Sequence, residues 1–183
     1  MSKDFVAHPL DVRALARAGA RLDGDEALTR LERLLAESAV GVGPESRVRW
    51  SAQGQARPVA GGVDQIWLHL HATATVPLTC QRCLKPVPVD LIVDRAFRFV
   101  ADEKTAETED EASEEDVLAL ERNFDLLHLI EDEFLMELPL VPRHDVCPVQ
   151  VPMAAVDPDF EATEAERPNP FAALAGLHRD KLN

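Results

Sequence analysis

The fold is decided by residues 66–100, IWLHLHATATVPLTCQRCLKPVPVDLIVDRAFRFV. Apolar and polar residues alternate over 66–76, and apolar residues recur over 87–100. A period of two predicts β-strands with one face turned toward a core. Pro86 and Pro88 cannot donate to a central ladder, so the cysteine-containing turn between these strands should lie at an edge or end of the sheet.

A third strand precedes this pair. Val48, Trp50 and Ala52 alternate with polar residues, and the Gly61-Gly62 pair supplies a turn before the next strand. Three consecutive strands joined by turns predict a β-meander.

Two helices are predicted before the meander. Residues 11–18 form a short helix that ends at Gly19. Asp25 can cap a second helix that runs to about Ala39, because leucines follow it at helical spacing. This amphipathic helix is expected to cover one face of the sheet.

The acidic stretch after the meander predicts a loop followed by two helices. Residues 102–111 lack periodicity and favour a solvated loop. The capping-box spacing of 113–116 predicts a short helix over 117–120. Asp125 can cap a stronger helix, which Pro139 ends because the residue before a proline is pushed out of the α region.

The order of helix, strands and helices predicts an α+β fold, an antiparallel β-meander packed with amphipathic helices. We expect residues 1–150 to form a single α+β domain with an acidic loop at about 101–115. Residues 151–183 predict an acidic linker and a short C-terminal docking helix, with Asn169 as N-cap and Pro170 as the first helical residue.

The distribution of charge limits the function. The 183 residues carry a formal net charge of −14, which argues against a protein that coats nucleic acid through a basic surface. Residues 1–100 contain 13 Lys/Arg and 11 Asp/Glu, whereas residues 101–137 contain 2 and 15. Within this acidic stretch, residues 131–133 and Glu137 predict a solvated, partner-facing surface, because consecutive helical residues do not converge on one point.

The cysteines carry the one compact chemical signature. Cys80 and Cys83 form a CxxC motif, and His144 and Cys147 form an HxxC motif much further along the chain. Together they would complete a tetrahedral Cys3His site, which makes zinc the candidate cofactor. A cysteine turn without metal remains an equal alternative. A redox dithiol is disfavoured, because that motif normally opens a helix in a βαβ unit.

Nothing in the sequence supports catalysis or a small-molecule substrate, since P-loop, GxGxxG, GxSxG and HExxH motifs are all missing. No apolar run reaches the roughly 18–20 residues that cross a bilayer, and the N-terminus lacks a signal-peptide pattern. We therefore predict a cytoplasmic protein that is not an enzyme and has no membrane partner.

Several segments taken together resemble one known family. They are PLDVRALARAGARLDG at 9–24, CQRCLKPV at 80–87, FDLLHLIEDEFLMELPLVPRHDVC at 124–147 and RPNPFAALAGL at 167–177. In this order they resemble the bacterial large ribosomal RNA subunit accumulation protein family, YceD, over roughly residues 5–178. The resemblance implies a role in the synthesis, processing or stability of 23S ribosomal RNA, and it carries over no catalytic residues.

Two classes of function fit these observations. One is a non-enzymatic assembly factor whose acidic segment engages a basic ribosomal protein or a pre-ribosomal particle of the large subunit, so that rRNA is reached directly or indirectly. The alternative is an RNA-binding module with a basic, aromatic sheet face, or a small zinc-stabilised interaction protein. The residues of that sheet face would be Arg47, Arg49, Trp50, Trp67, His69, Arg82, Lys85, Arg95 and Arg98.

Overall fold

The computed structural model describes residues 5–39, 41–43 and 45–150, which contain five strands and four α-helices. The strands are β1 (Arg21–Ala27), β2 (Arg47–Arg57), β3 (Gln65–Thr79), β4 (Pro86–Val100) and β5 (Asp116–Ala119). The helices are α1 (Val12–Ala18), α2 (Glu32–Glu37), α3 (Glu103–Asp110) and α4 (Leu126–Met136), and a 3₁₀ turn at Leu28–Arg30 precedes α2.

All five strands form one sheet in the order β1-β2-β3-β4-β5. The first four strands are antiparallel neighbours, whereas β5 runs parallel to residues 97–100 of β4. The α+β class and the meander of β2, β3 and β4 are therefore confirmed. The sheet is wider than the predicted meander, because β1 and β5 add a strand at each edge.

The hydrophobic core lies on one face of the sheet. On β3 the even-numbered side chains are buried and most odd-numbered ones are exposed or half-buried, as expected for a strand with one covered face. Leu15 of α1, Leu34 of α2 and Phe134 of α4 are fully buried in the same cluster as these strand residues. Helices α1, α2 and α4 thus cover the face that the period-two pattern marks as apolar.

The predicted helix from Asp25 to about Ala39 is wrong over nearly its first half, because α2 begins only at Glu32. Residues 21–27 form the edge strand β1, in which Gly24 pairs with Trp50 and Asp25 with Arg49. Gly24 is required there, because a Cβ at this position would lie 2.3 Å from the Trp50 ring. The Asp25 carboxylate accepts a hydrogen bond from Arg47 instead of capping a helix. Pairing with β2 overrides the local helical pattern.

The cap of α2 comes from a distant part of the chain. Glu131 of α4 accepts hydrogen bonds from the backbone amides of Arg33 (2.7 Å) and Leu34 (3.2 Å), at the first turn of α2. Glu131 is 7% exposed and Glu133 is 3% exposed. The prediction of a solvated surface at 131–133 is therefore wrong for these two carboxylates, which lie against neighbouring elements.

The acidic stretch after β4 also differs from its prediction. Residues 103–110 form helix α3, capped by Asp102, whose carboxylate accepts a hydrogen bond from the Thr105 amide. The predicted short helix over 117–120 is wrong, because residues 116–119 form β5. This segment forms hydrogen bonds to β4 as a strand, and the Asp110 carboxylate accepts a further hydrogen bond from the Val117 amide.

Two predicted helices are confirmed with their caps. Asp11 begins α1, Gly19 ends it in a left-handed conformation, and Asp125 begins α4 by accepting a hydrogen bond from the His128 amide. The linker and docking helix over 151–183 lie outside the described residues and stay predictions. Among the described residues, no helix is long and apolar enough to cross a membrane.

Gly54 gives a direct test of how α1 packs on the sheet. A Cβ at this position would lie 2.7 Å from backbone atoms of Leu15 and Ala16, which cannot move aside like a flexible side chain. We expect Gly54→Ala to lower the free energy of unfolding by about 2 kcal/mol, measured by urea denaturation. Gly62→Ala is the matched control, because its Cβ would make an ordinary 3.5 Å contact with Val59. Equal stability of the two variants would contradict this packing.

Candidate metal centre and acidic surface

The CxxC motif lies in the turn that joins β3 to β4 at one end of the sheet, as predicted. The Cys80 amide donates to the Lys85 carbonyl (3.0 Å), and the Leu84 amide donates back to the Cys80 carbonyl (2.9 Å). Leu84 adopts a left-handed conformation with φ of 58°, which is uncommon for a residue with a side chain. The turn thus tolerates local strain while it holds Cys80 and Cys83 close together.

The HxxC motif reaches this turn after α4 ends. The Gln81 amide donates to the Pro142 carbonyl (2.8 Å), which joins the two segments by their backbones. The ligand atoms of Cys80, Cys83, His144 and Cys147 all lie within 4.8 Å of one another. The structure therefore brings together all four residues that the sequence predicts, and this Cys3His group could hold a metal ion.

His144 is oriented as a metal-ligating histidine usually is. Its Nδ1 lies 3.5 Å from the Cys83 sulfur, and its Nε2 lies 3.0 Å from the Pro86 carbonyl oxygen. A hydrogen bond from Nε2–H to a carbonyl leaves the lone pair of Nδ1 free to bind a metal. Ligating histidines in metal sites are usually oriented by such a hydrogen bond from the other ring nitrogen. The Pro86 carbonyl thus orients the His144 ring.

Arg82 lies between the two cysteines and binds the other segment. Its Nε donates to the Cys147 sulfur (3.0 Å), and its guanidinium donates to the carbonyls of His144 (2.7 Å) and Asp145 (3.2 Å). The sequence predicts Arg82 as an RNA-binding candidate, and no motif in it signals this contact with the HxxC segment. A guanidinium beside several sulfurs offsets the negative charge that a Cys3His site with Zn²⁺ would retain.

The thiols differ in their tendency to ionise. Burial raises the pKa of Cys80, but backbone amides of His144, Cys83 and Arg82 that donate toward its sulfur lower the pKa to about 5. Burial also raises the pKa of Cys83, and the neighbouring sulfurs of Cys147 and Cys80 raise it further. Several thiolates so close together repel one another unless a cation lies between them.

The donor set fits zinc. Three thiolates and one imidazole are the ligands of a closed, structural tetrahedral zinc site. In such a site neighbouring ligand atoms lie roughly 3.5–3.8 Å apart, and the Cys83 sulfur and His144 Nδ1 already have this spacing at 3.5 Å. An ion would draw the remaining atoms inward by about 1 Å at most.

Most of the acidic residues of 101–137 are engaged within the protein. Ten of the fifteen form caps, hydrogen bonds or ion pairs; they are Asp102, Glu109, Asp110, Glu115, Asp116, Asp125, Glu131, Asp132, Glu133 and Glu137. Arg98 is 8% exposed and binds Glu109 and Glu115, whereas Arg95 binds Asp116, Glu133 and Glu137. Most of the negative charge in this stretch therefore stabilises the fold.

Five glutamates of this stretch remain exposed, and their carboxylates form no hydrogen bond or ion pair with any described residue. They are Glu103, Glu107, Glu111, Glu114 and Glu121, and we call them the free glutamates. Each belongs to α3 or to the segments beside β5. The sequence gives no signal that separates these five from the ten engaged residues.

A cleft runs beside β5, between α3 and α4. Its lining consists of Glu103, Val117, Leu118, Ala119, Glu121, Asn123, Phe124, Asp125, His128, Leu129 and Asp132. This β5 cleft has an apolar floor and four carboxylates. It has no lysine or arginine among its described lining residues, and its one histidine lies 3.2 Å from Asp132.

The proposed RNA-binding residues do not share one open face. Trp50 is buried on the core face, and Arg95 points to the same face, where it binds Glu133. Trp67 and Arg98 lie on the opposite face but are both buried, and the Arg57 guanidinium covers the Trp67 ring at 4.0 Å. The remaining open part of the sheet carries Arg47 and Arg49, both near the Asp25 carboxylate, with His69.

Comparison with known proteins gives one consistent family. A family model described as large ribosomal RNA subunit accumulation protein YceD matches residues 68–178. A protein of Haemophilus influenzae with this same name is 36% identical over 177 residues, which cover 92% of this chain and 95% of that protein. No solved structure matches the chain. The matched residues include the whole Cys3His group and the acidic stretch.

The Cys3His geometry predicts stoichiometric zinc binding. In native mass spectrometry of reduced, chelator-treated protein, we expect one Zn²⁺ per chain to bind on addition of zinc. Because each ligand supplies a full coordinate bond, Cys83→Ser and His144→Asn should weaken zinc binding at least tenfold. His71→Asn, at an exposed sheet position, should bind zinc like the unaltered protein. Unchanged affinity in His144→Asn would contradict this ligand set.

Proposed function

The chain belongs to the family of large ribosomal RNA subunit accumulation proteins, YceD, and on this premise we propose that it supports the synthesis, processing or stability of 23S ribosomal RNA as a non-enzymatic factor in the cytoplasm. We further propose that it acts by engaging a basic partner, either a large-subunit ribosomal protein or a pre-ribosomal particle, through its acidic surface.

The five free glutamates are the observation that carries this proposal. They lie within residues 103–121, and no described cation neutralises them. The proposed partners, ribosomal proteins, are chains rich in lysine and arginine. A concentrated negative surface accelerates encounter with such chains and disfavours contact with RNA phosphates. The surface could therefore hold a basic partner apart from RNA until assembly.

We propose a structural role for zinc within the same protein. The metal centre would join the β3–β4 turn to the segment after α4. The described residues otherwise connect these segments through the side chains of Arg82 and His144 and through one backbone hydrogen bond, from the Gln81 amide to the Pro142 carbonyl. A closed site of this kind contributes directly to folding energy and keeps no open position for a substrate. It thus agrees with a factor that binds rather than catalyses.

The acidic surface can be tested by capture from lysate. In one variant the free glutamates become glutamine: Glu103→Gln, Glu107→Gln, Glu111→Gln, Glu114→Gln and Glu121→Gln. We expect tagged protein with these changes to recover at least fivefold less large-subunit ribosomal protein than the unaltered chain at physiological salt, because the electrostatic attraction is lost. Recovery would be measured by quantitative mass spectrometry.

The matched control removes five charges elsewhere. Glu32, Glu37, Glu45, Asp64 and Asp94 are exposed outside the acidic stretch, and their conversion to the amides lowers the negative charge equally. This control should recover ribosomal proteins like the unaltered chain. Equal losses in both variants would show that net charge alone matters, and equal full recovery would refute the proposed surface.

Direct binding of RNA through the sheet is the second candidate function, supported by the open positions of Arg47 and Arg49. Both arginines lie near Asp25, and the aromatic rings that would stack on bases are buried. We therefore expect filter binding with 23S rRNA fragments to show no salt-dependent complex at micromolar protein. A complex that weakens steeply with salt, and is lost in Arg47→Gln with Arg49→Gln, would favour the RNA-binding function instead.

A further inference from the structure

The β5 strand is an edge of the sheet with open backbone groups. The Leu120 amide donates to the Val100 carbonyl (2.8 Å), which fixes the alternation of the parallel ladder. Even-numbered residues of β5 therefore bond to β4, and the backbones of Val117 and Ala119 point outward. Asp110 accepts from the Val117 amide. The Val117 carbonyl and both backbone groups of Ala119 have no partner among the described residues.

The opposite edge of the sheet carries charged side chains along its strand. On β1, the Asp25 carbonyl accepts a hydrogen bond from the Arg47 guanidinium (2.6 Å), and Arg21 and Asp23 form an ion pair along the strand. Charged side chains on an edge strand disfavour pairing with another chain. The edge at β5 lacks this protection at Ala119, and it faces the β5 cleft.

The chemistry of the cleft selects one kind of occupant. Val117, Leu118 and Leu129 supply apolar surface, and the free glutamates Glu103 and Glu121 stand beside it. Exposed carboxylates repel the phosphates of RNA. The same carboxylates attract lysine and arginine. The open amide and carbonyls of β5 can pair only with a chain whose own backbone groups are free. An extended strand has such groups, whereas a helix does not.

From this arrangement we infer that the β5 cleft binds an extended basic segment of a protein partner, which adds as a strand to the open edge of β5. Alternate side chains of the added strand would lie on the apolar floor, and the basic residues between them would reach Glu103 and Glu121. The inference rests on the proposed function for the origin of the partner, and it deepens that function by specifying how the acidic surface is used.

The test uses the full chain and a defined probe, the peptide acetyl-(Lys-Val)4-amide with a fluorescent label. A second peptide has the same sequence and charge, but its two central backbone amides are N-methylated. Because neighbouring residues of a strand point their amides to opposite edges, each edge of this peptide loses one hydrogen-bond donor. By fluorescence anisotropy at physiological salt, we expect the methylated peptide to bind at least tenfold more weakly. Equal affinity of the two peptides would overturn strand addition.

Two protein variants locate the binding edge. Ala119→Pro removes the outward amide of β5 and should weaken binding of the unmethylated peptide at least fivefold. Ala27→Pro is the matched control at the opposite edge, because Ala27 already has a φ of −70° that proline can adopt. If Ala119→Pro disturbs folding, the comparison of the two peptides on the unaltered chain still decides the question.

The outcomes separate this inference from the proposed function. If both peptides bind equally and Glu103→Gln with Glu121→Gln weakens both, attraction is purely electrostatic, so strand addition fails while the acidic surface stands. If neither peptide binds at submillimolar concentration, strand addition also fails, and capture from lysate independently decides the function. Selective loss on methylation and in Ala119→Pro supports strand addition at β5.

Discussion

The long antiparallel ladder between β3 and β4 is the constraint on which the rest of the structure depends. Both strands have fifteen residues, so the pair extends roughly 45 Å at about 3.3 Å per residue. Its turn holds Cys80 and Cys83, and its other end pairs with β5. The chain must then return along the ladder to bring His144 to the turn. Helix α4 covers about 16 Å of this distance, and residues 137–144 lead from its end to the turn.

The same ladder explains why so much acid is needed for the fold. Arg98 and Arg95 lie on opposite faces near one end of β4. Arg98 is buried and would be costly to leave without partners, whereas Arg95 is partly exposed beside the buried Glu133. Glu109 and Glu115 compensate Arg98, whereas Glu133 and Glu137 compensate Arg95. Burial raises the pKa of Glu133 even though Arg95 lowers it, so this pairing is not complete. Most carboxylates of the acidic stretch therefore neutralise arginines within the protein, and the free glutamates remain for a partner.

Features with local causes could be predicted from the sequence. The period-two strands, the caps Asp11 and Asp125 and the CxxC turn depend on residues close together in the chain. The Cys3His group was also predicted, because its residue types have few other uses together. The α+β class followed from the order of the elements. Strands β1 and β5 could not be predicted, since each exists by pairing with an edge of the central sheet. The cap of α2 was missed for the same reason, as Glu131 is almost one hundred residues away.

Helix α4 physically connects the two chemical regions. Its first residue follows Asp125, which lines the β5 cleft, and its C-terminal continuation enters the metal centre through Pro142 and His144. Along the way Glu131 caps α2 and Glu133 meets Arg95. Because both carboxylates are buried and each would be costly to leave without its partner, these contacts fix α4, and with it one wall of the β5 cleft, along the sheet.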